Sequence, residues 1–471
     1  MHILINTSSG QPKTRRGPSA IARGRNSTAG RLVVSCEEPK RIGRDKECAC
    51  TGLHLDDQPE HASSTLDALG IALLNRGCLA EGAKLIEQAL RIRRKFFGDD
   101  HPLTAESLNS YGRVLREKGL LADAQKTLET ALRINRKAFG EDGYPVAVSL
   151  VESGVIYLNR GRYAEAESAA IEGLGILNQR GLDDTDPNTT RLMDVRGRAE
   201  AARDDLKAAE ATFKEILRLD REQGANLPKS ASHIANFASV KESQGLFKQA
   251  EAGYLKAIDV YANKLKRRCH PNLIDAYANL GSLYLSRNAK SNDLRNAGRY
   301  LKEALRLSLK VRGPGHLLVA NDHSNLGRLS YQLKDRRGAL KHFFAALQIY
   351  EKNLKRGFID STYIFTAEVL TWLGRLLVEG AKASEAAKAE PLLERAVTIW
   401  AAHPASGELG AAAANGCLGR ALFLQDKDPD RARALLLDSY SVLSKELGNE
   451  HVLVKLIRQW LDELSACAQA A

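Results

Sequence analysis

The sequence predicts an all-α fold, a right-handed α-α superhelix (solenoid) of about nine helix-turn-helix repeats ending in a C-terminal capping helix. Three observations predict it. Six prolines fall at 102, 145, 187, 228, 271 and 314, at spacings of 43, 42, 41, 43 and 43 residues. A second ladder of small residues, Gly70, Gly112, Gly154, Gly197, Ala238, Gly281, Gly327, Gly374 and Gly419, recurs at intervals of 41 to 47 residues. The chain is 44% hydrophobic yet only 6% aromatic with two methionines, so its interior is built from Ala, Leu, Ile and Val, which suit helices that approach closely in layers.

The prolines mark helix starts, because proline cannot continue a helix interior but fits its first turn. Around the small markers stand SLNSYGRVL at Gly112, DAYANLGSLY at Gly281 and DHSNLGRLSY at Gly327, with apolar residues three and four apart, the spacing of a helix. Twelve residues after most markers comes another small residue, Gly82, Ala124, Ala166, Ala209, Ala250 or Ala339. Seven further on, a third opens ALRI at 89–92 and 131–134, AIDV at 257–260, ALRL at 304–307 and ALQI at 346–349. A second helix per unit is implied, and small residues on both let the two cross backbone to backbone. One hairpin cannot bury its apolar stripe alone, so stacked units complete the core and need an end cap. VLVKLIRQWLDEL, within 451–471, is the expected capping helix, and 61–450 is the array.

Ahead of the array, residues 1–60 read as a basic leader. The first 36 residues hold six basic and no acidic residues and are rich in Ser, Thr, Gly and Pro. Such a segment does not pack, and reads as a disordered tail or a targeting segment. Gly10, Pro12, Gly17 and Pro18 interrupt the helix that a mitochondrial presequence needs, which favours the tail. The expected location is cytoplasmic, with organelle import through the leader as the second reading.

These residues resemble the tetratricopeptide repeat, with its Gly at the eighth position and Ala at the twentieth and twenty-seventh. The 42-residue period and the phrases FGDDHP at 97–102, FGEDGYP at 139–145 and LGNEH at 447–451 are similar to those of kinesin light chains. Units near 186 and 408 are degenerate, and the sixth, eighth and ninth carry extra residues between their helices, such as AKSNDLRN at 289–296. No heptad coiled coil precedes the array, so motor attachment is not expected. The resemblance implies a scaffold or adaptor that holds extended peptides in a concave groove.

It also implies that the groove is lined by the first helix of each unit, three and two residues before the marker and one after it. Those places share a helix face, being three and four apart. After the marker stand Arg113, Arg198, Arg328, Arg375 and Arg420, five arginines in nine units; before it stand Asn109, Asn236, Asn279 and Asn325, with Asp67, Glu152 and Asp194 as acidic exceptions. Asparagine amides both donate to and accept from a peptide backbone, and the arginine fork pairs carboxylates. The expected ligand is therefore an extended acidic peptide segment of another protein. The competing reading is a solvated face, with Asp194 and Arg198 an ordinary ion pair one turn apart.

Catalysis is not expected, and neither is a cofactor, a metal or a small-molecule substrate. There is no phosphate-binding loop; GlyLeuGly at 173–175 lacks its third glycine and its strand, and reads as packing. His101, His270, His316 and His451 fall in the same inter-repeat turn, as caps would. Cys36, Cys48, Cys50, His54 and His61 match no common zinc spacing. Seven scattered cysteines argue for a reducing compartment, and no run of 18 apolar residues argues for a membrane span. The net charge of +12 resides mainly after residue 60, with 59 basic against 50 acidic residues, and favours acidic partners. A nucleic-acid binder is the alternative, but it needs stacking aromatics at the groove positions, and only Trp372 stands there. Self-association is left open.

Overall fold

The structure is a computed structural model describing residues 59–75, 78–182, 186–222, 228–264, 270–286, 291–359 and 361–470. The leader, with the targeting reading and Cys36, Cys48, Cys50 and His54, lies outside the described residues apart from its last two. Two units are distinguished, 1–54 and 55–471, and all that follows concerns the second.

Nine hairpins follow one another: α1 (Pro59–Leu74) with α2 (Leu79–Phe97), α3 (Pro102–Glu117) with α4 (Leu121–Phe139), and α5 (Tyr144–Asn159) with α6 (Tyr163–Gln179). Next come α7 (Pro187–Ala202) with α8 (Leu206–Glu222), α9 (Pro228–Ser243) with α10 (Phe247–Asp259), and α11 (Pro271–Ser286) with α12 (Ser291–Val311). The last three are α13 (Leu317–Gln332) with α14 (Arg336–Lys355), α15 (Ile364–Val378) with α16 (Ala383–Ala401), and α17 (Pro404–Leu424) with α18 (Pro429–Leu447). A final helix, α19 (Val452–Ala470), lays Leu453, Val454, Ile457, Trp460 and Leu464 against Leu418, Leu422, Leu436 and Leu443. Each second helix also packs on the first helix of the next unit, and no strand occurs among the described residues.

The markers explain why each hairpin closes. A Cβ on Gly112 would stand 2.6 Å from Leu128, and one on Gly327 would stand 2.8 Å from Phe343. In both units the large residue lies sixteen positions on, filling the space the glycine leaves. The fifth unit reverses the roles: Ala238 holds the marker, and Gly253 on α10 yields, since a Cβ there would lie 2.7 Å from that of Ala238. The degenerate units keep the same packing, with Gly197 against Phe213 and Gly419 against Leu436.

Helix starts follow a shared device. His101, His270, His316 and His451 each accept, through Nδ1, the backbone N–H two residues on, at 3.1 to 3.3 Å. Asp186 does the same for Asn188 at 2.7 Å. Each supplies an acceptor to a first-turn N–H that has no partner within its helix. Five of the six periodic prolines occupy the first or second helical position, but Pro314 does not. It sits in the turn before His316, because the cap there falls two residues later. The inserted phrase at 289–296 is also resolved differently from a loop: Ser291–Asn296 wind into α12, lengthening it to 21 residues. The sequence gives no warning of the π-helical end of α10, Val260–Lys264, or of Pro391 inside α16.

The curvature brings distant units together. His270 Nε2 lies 3.1 Å from the carbonyl of Asn75, and His316 Nε2 lies 2.9 Å from that of Glu117. Units one and six, and two and seven, therefore meet edge to edge, five units apart.

Candidate inner-face binding site

The first helices place the nine predicted groove residues in two different settings. Some are built into the wall. Asn109 is buried and donates to Ser149 Oγ at 2.9 Å. Arg375 is buried, bonds Glu379 at 2.8 Å and Tyr331 Oη at 2.7 Å, and stacks over Tyr331 and Trp372. Arg420 is buried, pairs with Glu463 of α19 at 2.6 Å, and faces the rings of Phe423 and Trp460. Arg113 donates to Asn75 Oδ1 at 2.8 Å and approaches Glu152 at 3.8 Å. Trp372, the aromatic at the groove positions, is thus covered by Arg375 and by Phe343, whose ring stacks on it at 5.8 Å.

Around Arg113 lies a buried charge cluster. Glu152 bonds Arg191 and is also approached by Arg116 at 4.0 Å. Burial works against its charge, yet Arg191, Arg113 and Arg116 together hold its carboxyl below the ordinary value. Burial lowers the Arg113 guanidinium from its usual value, with Glu152 opposing.

The other residues remain reachable and lie on four consecutive first helices. On α7, Arg198 contacts Asp194 at 3.6 Å, the ion pair expected from its spacing. The same Asp194 accepts from Asn236 of α9 at 2.6 Å, tying the two units together. Asn279 on α11 is exposed, and Ser239 is exposed beside Asn236. On α13, Asn325 and Arg328 are partly exposed, with 3.5 Å between them, at the outer limit of a hydrogen bond. Glu242 feels Arg328: burial raises its carboxyl, and Arg328 partly offsets this.

The sequence reading missed a polar ladder on the second helices. Arg93, Asn135, Asp220 and Tyr350 stand four residues after Ala89, Ala131, Ile216 and Ala346, and each is buried. Asn135 donates to Ser149 at 2.9 Å, Asp220 meets His233 at 2.9 Å, and Tyr350 bonds Asn321, each reaching the next or preceding first helix. The available signal was phase: these polar residues fall on the apolar stripe. Among the described residues, no group of three His, Cys, Asp or Glu could hold a metal, and no helix is long and apolar enough to cross a membrane.

Stacked helical hairpins with small residues at each crossing define a helical-repeat interaction scaffold. Residues 61–143, the first two hairpins, match the family profile described as tetratricopeptide repeat. These two hairpins are tetratricopeptide repeats, and the same marker positions continue through the remaining hairpins. Similar solved structures include nearly identical TPR-like repeats from Podosopora anserina described as kinesin light chain, at 18% identity, covering 44% of this chain and 99% of that one, with a TM-score of 0.34. BtubC (BKLC) from P. vanneervenii is 20% identical, over 49% of this chain and 90% of that one, with a TM-score of 0.37. A signal transduction ATPase with numerous domains, bearing a tetratricopeptide repeat sensor, from Pyrococcus horikoshii, is 15% identical over 80% of this chain and 55% of that one, with a TM-score of 0.47. No curated protein matches the chain.

Proposed function

We propose that this chain is an adaptor that holds an extended, acidic segment of a partner protein along the inner faces of α7, α9, α11 and α13. The observation that carries the reading is Arg328: partly exposed, on the shared face, with its asparagine neighbour 3.5 Å away, it keeps guanidinium donors for a ligand carboxylate. Asn236, Asn279 and Asn325 supply amides along the same line for a peptide backbone. Arg198 adds a second cation whose bond to Asp194 is long enough to exchange. Arg113, Arg375 and Arg420 belong to the wall in this reading, since their own chain already supplies their partners.

The test is a pull-down from native lysate with the full chain beside an Arg198→Glu/Arg328→Glu variant. A specific protein lost from the variant supports the inner face. Identical partners for both overturn it and move attention to the outer face, and enrichment of nucleic acid alone supports the alternative class.

A further inference from the structure

Two of the contacts between units five apart use a histidine that already has another task. His270 and His316 cap their helices through Nδ1, which must therefore be the unprotonated nitrogen, leaving Nε2–H to donate to the carbonyls of Asn75 and Glu117 at 3.1 and 2.9 Å. Beside them, Gly119, at φ +78°, faces the His316 ring and Leu317, 3.7 and 3.9 Å from where a Cβ would stand. Leu115 and Leu121 share a buried cluster with Leu317 and Ala320. Burial opposes the charge of Glu117, but Arg116, and Arg312 from the facing unit, keep its carboxyl below the ordinary value. Burial, then Arg312, lowers His316 to about 4, so its neutral form is the stable one near neutrality.

Neighbouring units share continuous apolar cores within each turn, and one such cluster also crosses between turns. Opening the joint between turns asks for small adjustments spread over several nearest-neighbour interfaces, together with separation of the apolar side chains that meet there. Asn75 connects this joint to the inner face: its carbonyl receives His270, while its Oδ1 receives the Arg113 guanidinium.

We propose that the Asn75–His270 and Glu117–His316 contacts form a latch that closes the superhelix on itself, and that the partner segment reaches the inner face when the latch opens. The gating rests on the inner-face reading above; the latch rests on the contacts alone.

The test is a His270→Asn/His316→Asn variant of the full chain. Asparagine preserves the helix caps but is too short to reach the facing carbonyls. Circular dichroism and melting confirm folding. Solution scattering is expected to show a larger radius of gyration, and amides of the Gly119–Leu120 turn to exchange about five- to tenfold faster, the effect of one lost hydrogen bond. A short fluorescent glutamate-rich peptide is expected to associate faster with the variant. Superimposable scattering curves and unchanged exchange overturn the latch. An opened variant with an unchanged association rate, while Arg198→Glu/Arg328→Glu abolishes binding, overturns the gating and keeps the inner-face site. Opening without peptide binding to either protein overturns the inner-face reading, and the gating with it, and leaves the latch standing.

Discussion

Replacing Arg93 by methionine tests the buried polar ladder most directly. Arg93 has no exposed surface and donates to Leu103 O at 2.8 Å, Ser107 Oγ at 3.0 Å, Ser64 Oγ at 3.0 Å and Ser63 Oγ at 3.2 Å, with Asp67 at 3.4 Å. Methionine keeps most of the volume, so the loss reports the guanidinium rather than a cavity. Asp67, itself 2% exposed, is raised to about 6 by burial, an effect that Arg93 partly offsets. A carboxyl whose folded pKa lies above its unfolded value binds more protons when folded. Asp67 therefore costs stability as pH rises from about 4 to about 6, by roughly 3 kcal/mol in all. Removing Arg93 deepens that penalty. At pH 8 the substitution is expected to cost about 3–5 kcal/mol, the usual effect of stranding a buried charge. At pH 5, with Asp67 protonated, only unpaired hydrogen-bonding groups remain, and the cost falls to about 1–3 kcal/mol. Adding Asp67→Leu recovers much of the loss at pH 8. Native-state hydrogen exchange of α1 to α3 over a urea series measures each value. Equal losses at both pH values, with no recovery in the double variant, would refute the reasoning.

Three further outcomes follow from the packing. Gly112→Ala drives a Cβ into Leu128 and is expected to cost about 1–3 kcal/mol, read by urea denaturation, with Leu128→Val relieving part of it. Arg375→Ala removes the bonds to Glu379 and Tyr331 and uncovers Trp372, so a tryptophan emission shift and a loss of about 2–3 kcal/mol are expected, with partner capture unchanged. Ending the chain at residue 450 strips α19 from Leu418, Leu422 and Leu436 and leaves Arg420 without Glu463, and light scattering should then detect association through the uncovered face.

The repeat could be read from the sequence because packing forces it: a small residue must recur wherever two helices cross closely, and in several units a large residue sixteen positions on fills the space it leaves. Helix phase likewise showed which residues share one face of each first helix. Phase does not show what else reaches that face. The partner of Arg420 lies on α19, 43 residues away, and that of Arg113 lies 38 residues back on Asn75. Arg93 stands among other charges at a basic helix end, and only its distance from Ala89 places it on the buried stripe. The closure of one turn on the next was illegible for another reason. It accumulates from small rotations at every interface, and no single unit encodes it.

The latch also makes the array a ruler. Histidine caps at units six and seven present the same Nε2–H, and units one and two present carbonyls at the C-terminal ends of their first helices. Excising one of the intervening units would carry His316 round to Asn75, and the ring could close again. Glu117 would then face the eighth unit, whose helix begins after Tyr363 and offers no imidazole. Growth or loss by whole repeats thus preserves closure but alters its strength in steps of one hydrogen bond.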